Sequence, residues 1–337
     1  MIATTTPGPD RLVDRFGRAH NNLRISVTDR CNIRCVYCMP EAVQFLPRRE
    51  LLSFEEITRF VGVAAGLGID KIRLTGGEPL VRRDLPDLVA RVAAVPGIAD
   101  VGLTTNGILL APMARDLWEA GLRRINISLD TLDPARFREL TRRDGVEQVV
   151  DGILAAKAAG FDPVKVNAVA IKGMNEGDVV PLARFAREHG VELRFIEYMP
   201  LDAEHGWERD KVLFADEILA MLADAFGPLD PAANPDPRAP AADYFYRDGG
   251  GLVGMIASVS RPFCGSCNRV RLTADGKLRN CLFALDETDV RSLLRDGSPD
   301  ASIAEALRSS VAGKWEGHQI NTSGFIRPER LMHSIGG

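Results

Sequence analysis

The chain has 337 residues, 45% of them hydrophobic, and a formal net charge of -4. That length supplies one large core or two moderate ones, while the slightly acidic balance excludes a nucleic-acid partner held by bulk charge, so any basic residues that matter must be gathered locally. The first 22 residues carry no apolar run of signal type, and no later segment approaches the roughly 18 consecutive apolar residues of a membrane span, so a cytoplasmic protein with no membrane partner is expected.

Residues 1–22 read as a flexible N-terminal segment. From Leu23 onward, six strand-like runs alternate with helical patterns: LRISV at Leu23, KIRLT at Lys71, VGLTT at Val101, INISL at Ile125, VKVNAVA at Val164 and ELRFIEY at Glu192. Such alternation means parallel strands joined by crossover helices. FEEITRFVGVAAGLG, LAPMARDLWEAG and VEQVVDGILAAKAAG carry the helical period, and each closes in a glycine suited to a C-cap. The pattern predicts an α/β fold, an incomplete (β/α)6 TIM-like barrel over 23–227. Past Phe226, GPLDPAANPDPRAPAAD reads as an exposed loop or linker. A C-terminal region over 228–337 follows, in which GGLVGMIASVS and RVRLTADGKLRNCLF read as an antiparallel β extension with a hairpin turn at ADGK.

Residues two apart on a strand share a face. Lys71, Arg73 and Thr75 therefore oppose Ile72 and Leu74, and Arg24, Ser26 and Thr28 oppose Leu23, Ile25 and Val27. Asn126 and Ser128, then Lys165 and Asn167, divide from their apolar neighbours in the same way. The apolar faces suit the helices, so the polar, cationic faces must point into the barrel, where an ordinary closed barrel packs aliphatic side chains. A polar lumen implies a polar ligand. Taken singly, each of these residues could equally be a strand end reaching solvent.

All six cysteines fall into two sets, Cys31, Cys35, Cys38 and Cys264, Cys267, Cys281. Scattered disulfide partners would look different, and a reducing compartment disfavours disulfides. For an isolated C-x2-C, zinc is the default. Three thiolates on one loop can instead hold three irons of a 4Fe-4S cube and leave the fourth iron open to a ligand. For the second set, a structural zinc completed by His or Asp from elsewhere stays as an alternative.

The C-x3-C-x2-C spacing with Tyr37 before its last cysteine resembles the signature of the radical S-adenosylmethionine enzymes. The resemblance implies that the cosubstrate chelates the open iron, that GGEP at Gly76–Pro79, including Gly77, receives its amino group, and that Ser128 and Met199 contact it. TDRCNIRCVYCMP, RLTGGEPL, FCGSCNRVRLTADGKLRNCLF and the terminal Gly336-Gly337 together resemble the GTP 3',8-cyclase family from Leu23 to Gly337. CMPEAVQFLPR departs from it by lacking the glycine that commonly follows the acidic residue.

This second resemblance implies GTP as substrate, S-adenosyl-L-methionine and two 4Fe-4S clusters as cofactors, and the opening step of molybdenum cofactor biosynthesis. It places Arg73, Thr104, Lys165 and Val270 at GTP, Arg24, Arg269 and Arg271 near the second cluster and the substrate, and Gly336 and Gly337 in the active site. Lys71 and Arg194 share the matching strand faces. It further implies an external electron donor, product transfer to cyclic pyranopterin monophosphate synthase, and a homodimer. A radical enzyme that modifies a peptide is the competing enzymatic reading, and such relatives usually need more cysteines. A non-enzymatic iron-sulfur or zinc protein is the other, and a six-unit barrel with a cationic lumen is excessive for it.

Overall fold

The computed structural model describes residues 11–202, 204–233 and 236–336. All six predicted barrel strands are present: β1 (Asn22–Thr28), β2 (Lys71–Gly76), β3 (Asp100–Thr105), β4 (Arg124–Ser128), β5 (Val164–Ala170) and β6 (Glu192–Glu197). They lie side by side in chain order, each parallel to the next. The helices α1 (Phe54–Gly66), α2 (Leu85–Ala93), α3 (Ala114–Glu119), α4 (Pro134–Thr141), α5 (Val146–Ala159), α6 (Val179–His189) and α7 (Ala215–Phe226) supply the crossovers and the outer cover. Local chemistry sets their ends. Ser53 and Glu56 form a reciprocal capping box on α1, and α5 stops at Gly160 with φ at +109°. Ile57, Phe60 and Val61 of α1 and Leu23, Ile25, Ile72 and Leu74 of the sheet are fully buried in one core, so the apolar strand faces do meet the helices.

The sheet continues beyond the barrel at both ends, with β7 (Leu229–Pro231), β8 (Ala242–Tyr246) and β9 (Leu252–Ile256) beside β6, and β10 (Arg269–Leu272), β11 (Lys277–Arg279) and β12 (Thr288–Asp289) beside β1. The expected antiparallel pairs are there, β8 with β9 and β10 with β11. In addition, β9 runs parallel to β6 and β10 parallel to β1, which makes one open sheet of 12 strands. Helices α8 (Arg291–Arg295), α9 (Asp300–Ala312) and α10 (Met332–Ile335) complete the chain. Among the described residues no helix is long and apolar enough to cross a membrane.

Two expectations need correction. Residues 11–22 are folded rather than flexible: Leu12, Asp14, Arg18 and His20 are buried, and Val13 bridges Ala19. The stretch read as a linker holds β7 and the start of β8, because proline is tolerated on an edge strand that owes hydrogen bonds on one side only.

The continuous sheet makes the barrel dependent on the C-terminal region. A fragment ending at Gly227 would expose β1 and β6 as long apolar edges, which template aggregation. Such a fragment is expected to elute as aggregate in size-exclusion chromatography, and a monomer with a cooperative melt would overturn this account.

Candidate active site

Strand register decides which side chains form a layer. Arg271, Arg24 and Arg73 are Cα partners across β10, β1 and β2. Thr104, Asn126 and Lys165 make a second rung, and Ser128, Asn167 and Arg194 a third. Arg24, Arg271, Thr104, Asn126, Ser128, Asn167 and Arg194 of these rungs border a cavity of about 310 Å³ that all six cysteines also border. Cys31, Cys35 and Cys38 follow the C-terminal end of β1, whereas Cys267 precedes β10 and so lies by the N-terminal end of β1, where Asn22 partners Arg269. The two thiol sets therefore enclose the lumen from opposite ends.

The first set sits on a loop pinned to α4, with Arg34 N donating to Thr141 O (2.8 Å) and Val36 N to Leu140 O (3.0 Å). The Tyr37 hydroxyl donates to Asp130 Oδ2 at 2.5 Å, and Asp130 Oδ1 accepts from Val169 N at 2.8 Å, which ties the loop to the ends of β4 and β5. Gly77 N donates to Thr28 O (2.8 Å), and a Cβ on Gly77 would stand 2.3 Å from Arg30 O. Only glycine allows GGEP to cross the cysteine loop so closely. Burial pushes the Cys31 thiol up to about 11 and Cys38 up to about 12.

In the second set, Cys264 and Cys267 lie on a single 3-10 turn and Cys281 follows β11. Burial would raise the Cys267 thiol, but Arg269 and Lys314 outweigh it and hold it down to about 6. Arg269 Nε lies 3.4 Å and Lys314 Nζ 3.6 Å from its sulfur. Among the described residues no three His, Cys, Asp or Glu donors close on one point as a single ion requires. The thiols of both sets border the cavity, and three thiolates are the donor set for three irons of a 4Fe-4S cube.

The lumen itself lacks partners. Arg24 Nε, Ser26 Oγ, Asn126 Oδ1, Asn167 Oδ1 and Arg194 Nε are buried without a hydrogen bond among the described residues. Burial and the charges of Arg271, Arg269 and Arg73 push Arg24 well below its ordinary range. Buried polar groups are nearly always paired, so this set fits a polar, anionic ligand that brings both acceptors and donors.

Comparison with known proteins agrees with this geometry. The radical SAM superfamily profile matches residues 25–186, and that of molybdenum cofactor synthesis C matches 191–320. The chain is 51% identical to the GTP 3',8-cyclase of Rhodopirellula baltica over 99% of its length and 94% of the relative. It is 47% identical to that of Streptomyces coelicolor over 98% and 97%. The chain belongs to the GTP 3',8-cyclase family. Among solved structures, Streptococcus suis SuiB bound to precursor peptide SuiA superposes with a TM-score of 0.63 at 15% identity, over 92% of this chain and 75% of that one. Native anSMEcpe with bound AdoMet gives 0.59 at 16%, over 82% and 79%. Both likenesses concern the fold alone.

Of the residues that family resemblance singles out, the cavity collects the six cysteines together with Arg24, Tyr37, Gly77, Thr104, Ser128, Met199, Arg269 and Arg271. Arg73 is buried beside it, donating to Leu103 O (3.2 Å) and Thr104 Oγ1 (3.4 Å), in space left by Gly102. Lys165 is paired with Glu192 at 2.7 Å. Val270 is fully buried in the hydrophobic core, so only its backbone can face the lumen. Gly336 abuts Ser26 and Thr75, and Gly337 lies outside the described residues. Sequence reasoning missed Lys314, His318 and Asn106, all on the cavity wall. Asn106 donates to Asn32 Oδ1 at 2.7 Å and approaches Cys31 Sγ at 3.7 Å.

It also missed the support beneath GGEP. Buried Glu78 accepts from Leu80 N (2.9 Å) and Thr105 Oγ1 (2.7 Å) on one oxygen and from Asn106 N (2.6 Å) on the other. Burial raises its carboxyl to about 7 despite these donors. In Glu78→Gln an amide NH2 would face Asn106 N, leaving a buried donor unpaired at a cost of about 1–3 kcal/mol. Denaturant titration of the cluster-free protein should show that loss, and an unchanged midpoint would contradict the assigned bonds.

Proposed function

We infer that this chain converts GTP to (8S)-3',8-cyclo-7,8-dihydroguanosine 5'-triphosphate, the first step of molybdenum cofactor biosynthesis, as a radical S-adenosylmethionine lyase. The observation that carries the reading is the single cavity bordered by both thiol triads, with a layer of arginines between them. Cys31, Cys35 and Cys38 would hold one 4Fe-4S cluster and Cys264, Cys267 and Cys281 a second; with S-adenosylmethionine the first would supply the radical chemistry that removes the C3' hydrogen, and the second would supply a binding point for the substrate's base.

The chain's own residues bind and orient. Tyr37, Gly77, Ser128 and Met199 border the cosubstrate end, fixed through Asp130 and the GGEP crossing. Arg24, Arg269 and Arg271 present the cationic layer that steadies the substrate while C3' closes on C8. Arg73, Thr104 and Lys165 are the proposed triphosphate contacts, arginine being able to grip phosphate oxygens as a fork. For Lys165 this requires exchanging its partner Glu192 for phosphate. The backbone of Val270, on the same strand as the two arginines, is the remaining proposed contact.

An external donor supplies the electrons, the product passes to cyclic pyranopterin monophosphate synthase, and the family resemblance supports a homodimer. Six free cysteines support a reducing cytoplasm.

Gly336 has φ at +83°, and a Cβ there would stand 2.4 Å from Ser26 Oγ and 2.7 Å from Thr75 Cγ2. Its carbonyl accepts from Arg271 Nη1. The expectation for Gly336→Ala is a steep fall in cyclised product with iron content and reductive cleavage of S-adenosylmethionine unchanged. Parent-level product would deny the residue a role.

The function is tested by anaerobic incubation of reconstituted protein with reductant, S-adenosylmethionine and each nucleoside triphosphate, and consumption of GTP alone is expected. The parent should hold about eight irons per chain. Alanine at Cys31, Cys35 and Cys38 should abolish cosubstrate cleavage, whereas alanine at Cys264, Cys267 and Cys281 should spare uncoupled cleavage and stop cyclisation. Equal loss of cleavage from both sets would defeat the division of labour.

A further inference from the structure

Outside the cavity, one buried cation donates to four fixed acceptors. Arg18 lies in the hairpin-like turn of residues 12–20, closed by Asp14 N donating to Arg18 O (3.2 Å) and His20 N to Leu12 O (2.8 Å). Its Nε pairs with Asp14 Oδ2 at 2.6 Å. Asp14 is held in turn, accepting on Oδ1 from Phe16 N (2.9 Å) and Arg18 N (3.0 Å), with His20 Nε2 3.0 Å from Oδ2. The rest of the guanidinium leaves the turn. Nη1 donates to Cys264 O (2.7 Å) and Glu316 O (2.6 Å), and Nη2 to Trp315 O (2.6 Å).

Those three carbonyls belong to the two walls of the second thiol set. One wall is the turn bearing Cys264 and Cys267. The other is the segment after α9, where Lys314 reaches Cys267 Sγ (3.6 Å) and Arg269 O (2.7 Å). In that segment a Cβ on Gly317 would stand 3.1 Å from Cys264 Cβ and 3.6 Å from its sulfur. The planar fork of arginine matches several acceptors at fixed angles. Without the cation, three part-buried carbonyl oxygens from the two walls would face one another with these hydrogen bonds unmade, and nothing in this contact would hold the walls together.

We propose that Arg18, oriented by Asp14, is the positioning residue of the second iron-sulfur site, clamping the Cys264 turn to the 314–317 segment so that the three thiols keep the spacing a cluster needs. The proposal rests on reading Cys264, Cys267 and Cys281 as cluster ligands. Arg18 touches neither cosubstrate nor lumen, so its loss should be felt at one triad only.

The test compares Arg18→Ala and Arg18→Lys with the parent. Arg18→Ala is expected to fall from about eight to about four irons per chain and to retain parent-level reductive cleavage of S-adenosylmethionine. In the cluster-free protein, mapped by mass spectrometry, it should show faster iodoacetamide alkylation of Cys264 with Cys31 unchanged. Arg18→Lys, which keeps the charge but not the fork, should fall between the two in both readouts, and it carries the test alone should Arg18→Ala fail to fold. Full iron content with parent-like Cys264 alkylation would overturn the proposal. So would equal loss of both clusters and of cleavage in Arg18→Lys, since that marks a general defect in folding. A parent holding about four irons would instead overturn the reading of the second set as cluster ligands.

Discussion

Pairing of β10 alongside β1, in the same direction and in one register, is the constraint on which the site depends. Asn22 opposite Arg269 and Arg24 opposite Arg271 place the second thiol set at the foot of the strand whose far end carries the first. Because side chains alternate with a period of two, a slip by one residue would turn Arg269 and Arg271 toward the helices and bring Val270 inward. The apolar identity of Val270, buried in the core, therefore fixes the register as firmly as the arginines need it. One register thus sets both the edge of the barrel and the wall of the cavity.

That register concentrates positive charge. Arg24, Arg73 and Arg271 form one layer with Arg269 two residues from Arg271, and burial first, then neighbouring guanidinium charges, lowers the proton affinity of each: Arg271, Arg269 and Arg73 act on Arg24, Arg124 and Arg194 on Arg73, and Arg269 and Arg279 on Arg271. Buried charge without a partner is expensive, and the surrounding core of helix and sheet must tolerate it. An anionic ligand relieves this repulsion as it binds, so affinity and folded-state stability are linked: whatever binds only the folded protein stabilises it by mass action. Acidic neighbours are placed with restraint. Glu192 neutralises Lys165 and lies 3.6 Å from Arg194, while Arg24 Nε is buried without a hydrogen bond among the described residues.

Legibility in the sequence follows the range of the interaction that sets each feature. Period-two alternation in KIRLT and LRISV is local, and both the strands and the polar lumen could be read from it. Cysteine spacing within a loop is local too. Pairing of β9 and β10 with the barrel is not, because it joins segments more than 50 residues apart and nothing in GGLVGMIASVS distinguishes a parallel from an antiparallel partner. Arg18 and Cys264 are 246 positions apart, and a lone arginine in a polar stretch carries no sign of three carbonyls waiting for it. Lys314 just after α9 looks like a cation at a helix C-terminus, yet it is buried and turned to Cys267. The domain content of GPLDPAANPDPRAPAAD misleads for a different reason: its prolines argue against a strand only where both edges must bond.

The segment around Gly336 draws these arguments together. Helix α10 packs on β1 and β2, and the residue after it enters between Ser26 and Thr75, which are themselves Cα partners on adjacent strands. There the polar strand faces provide space but no room for a side chain, and a positive φ turns the carbonyl of Gly336 toward Arg271. Arg271 is thereby aimed by the backbone, while the neighbouring Arg24 Nε stays unpaired among the described residues. Two arginines of one rung are thus unequal, Arg271 bonded to the chain at Gly336 and Arg24 with its Nε unpaired among the described residues, and the residue that makes the difference qualifies by the absence of a Cβ.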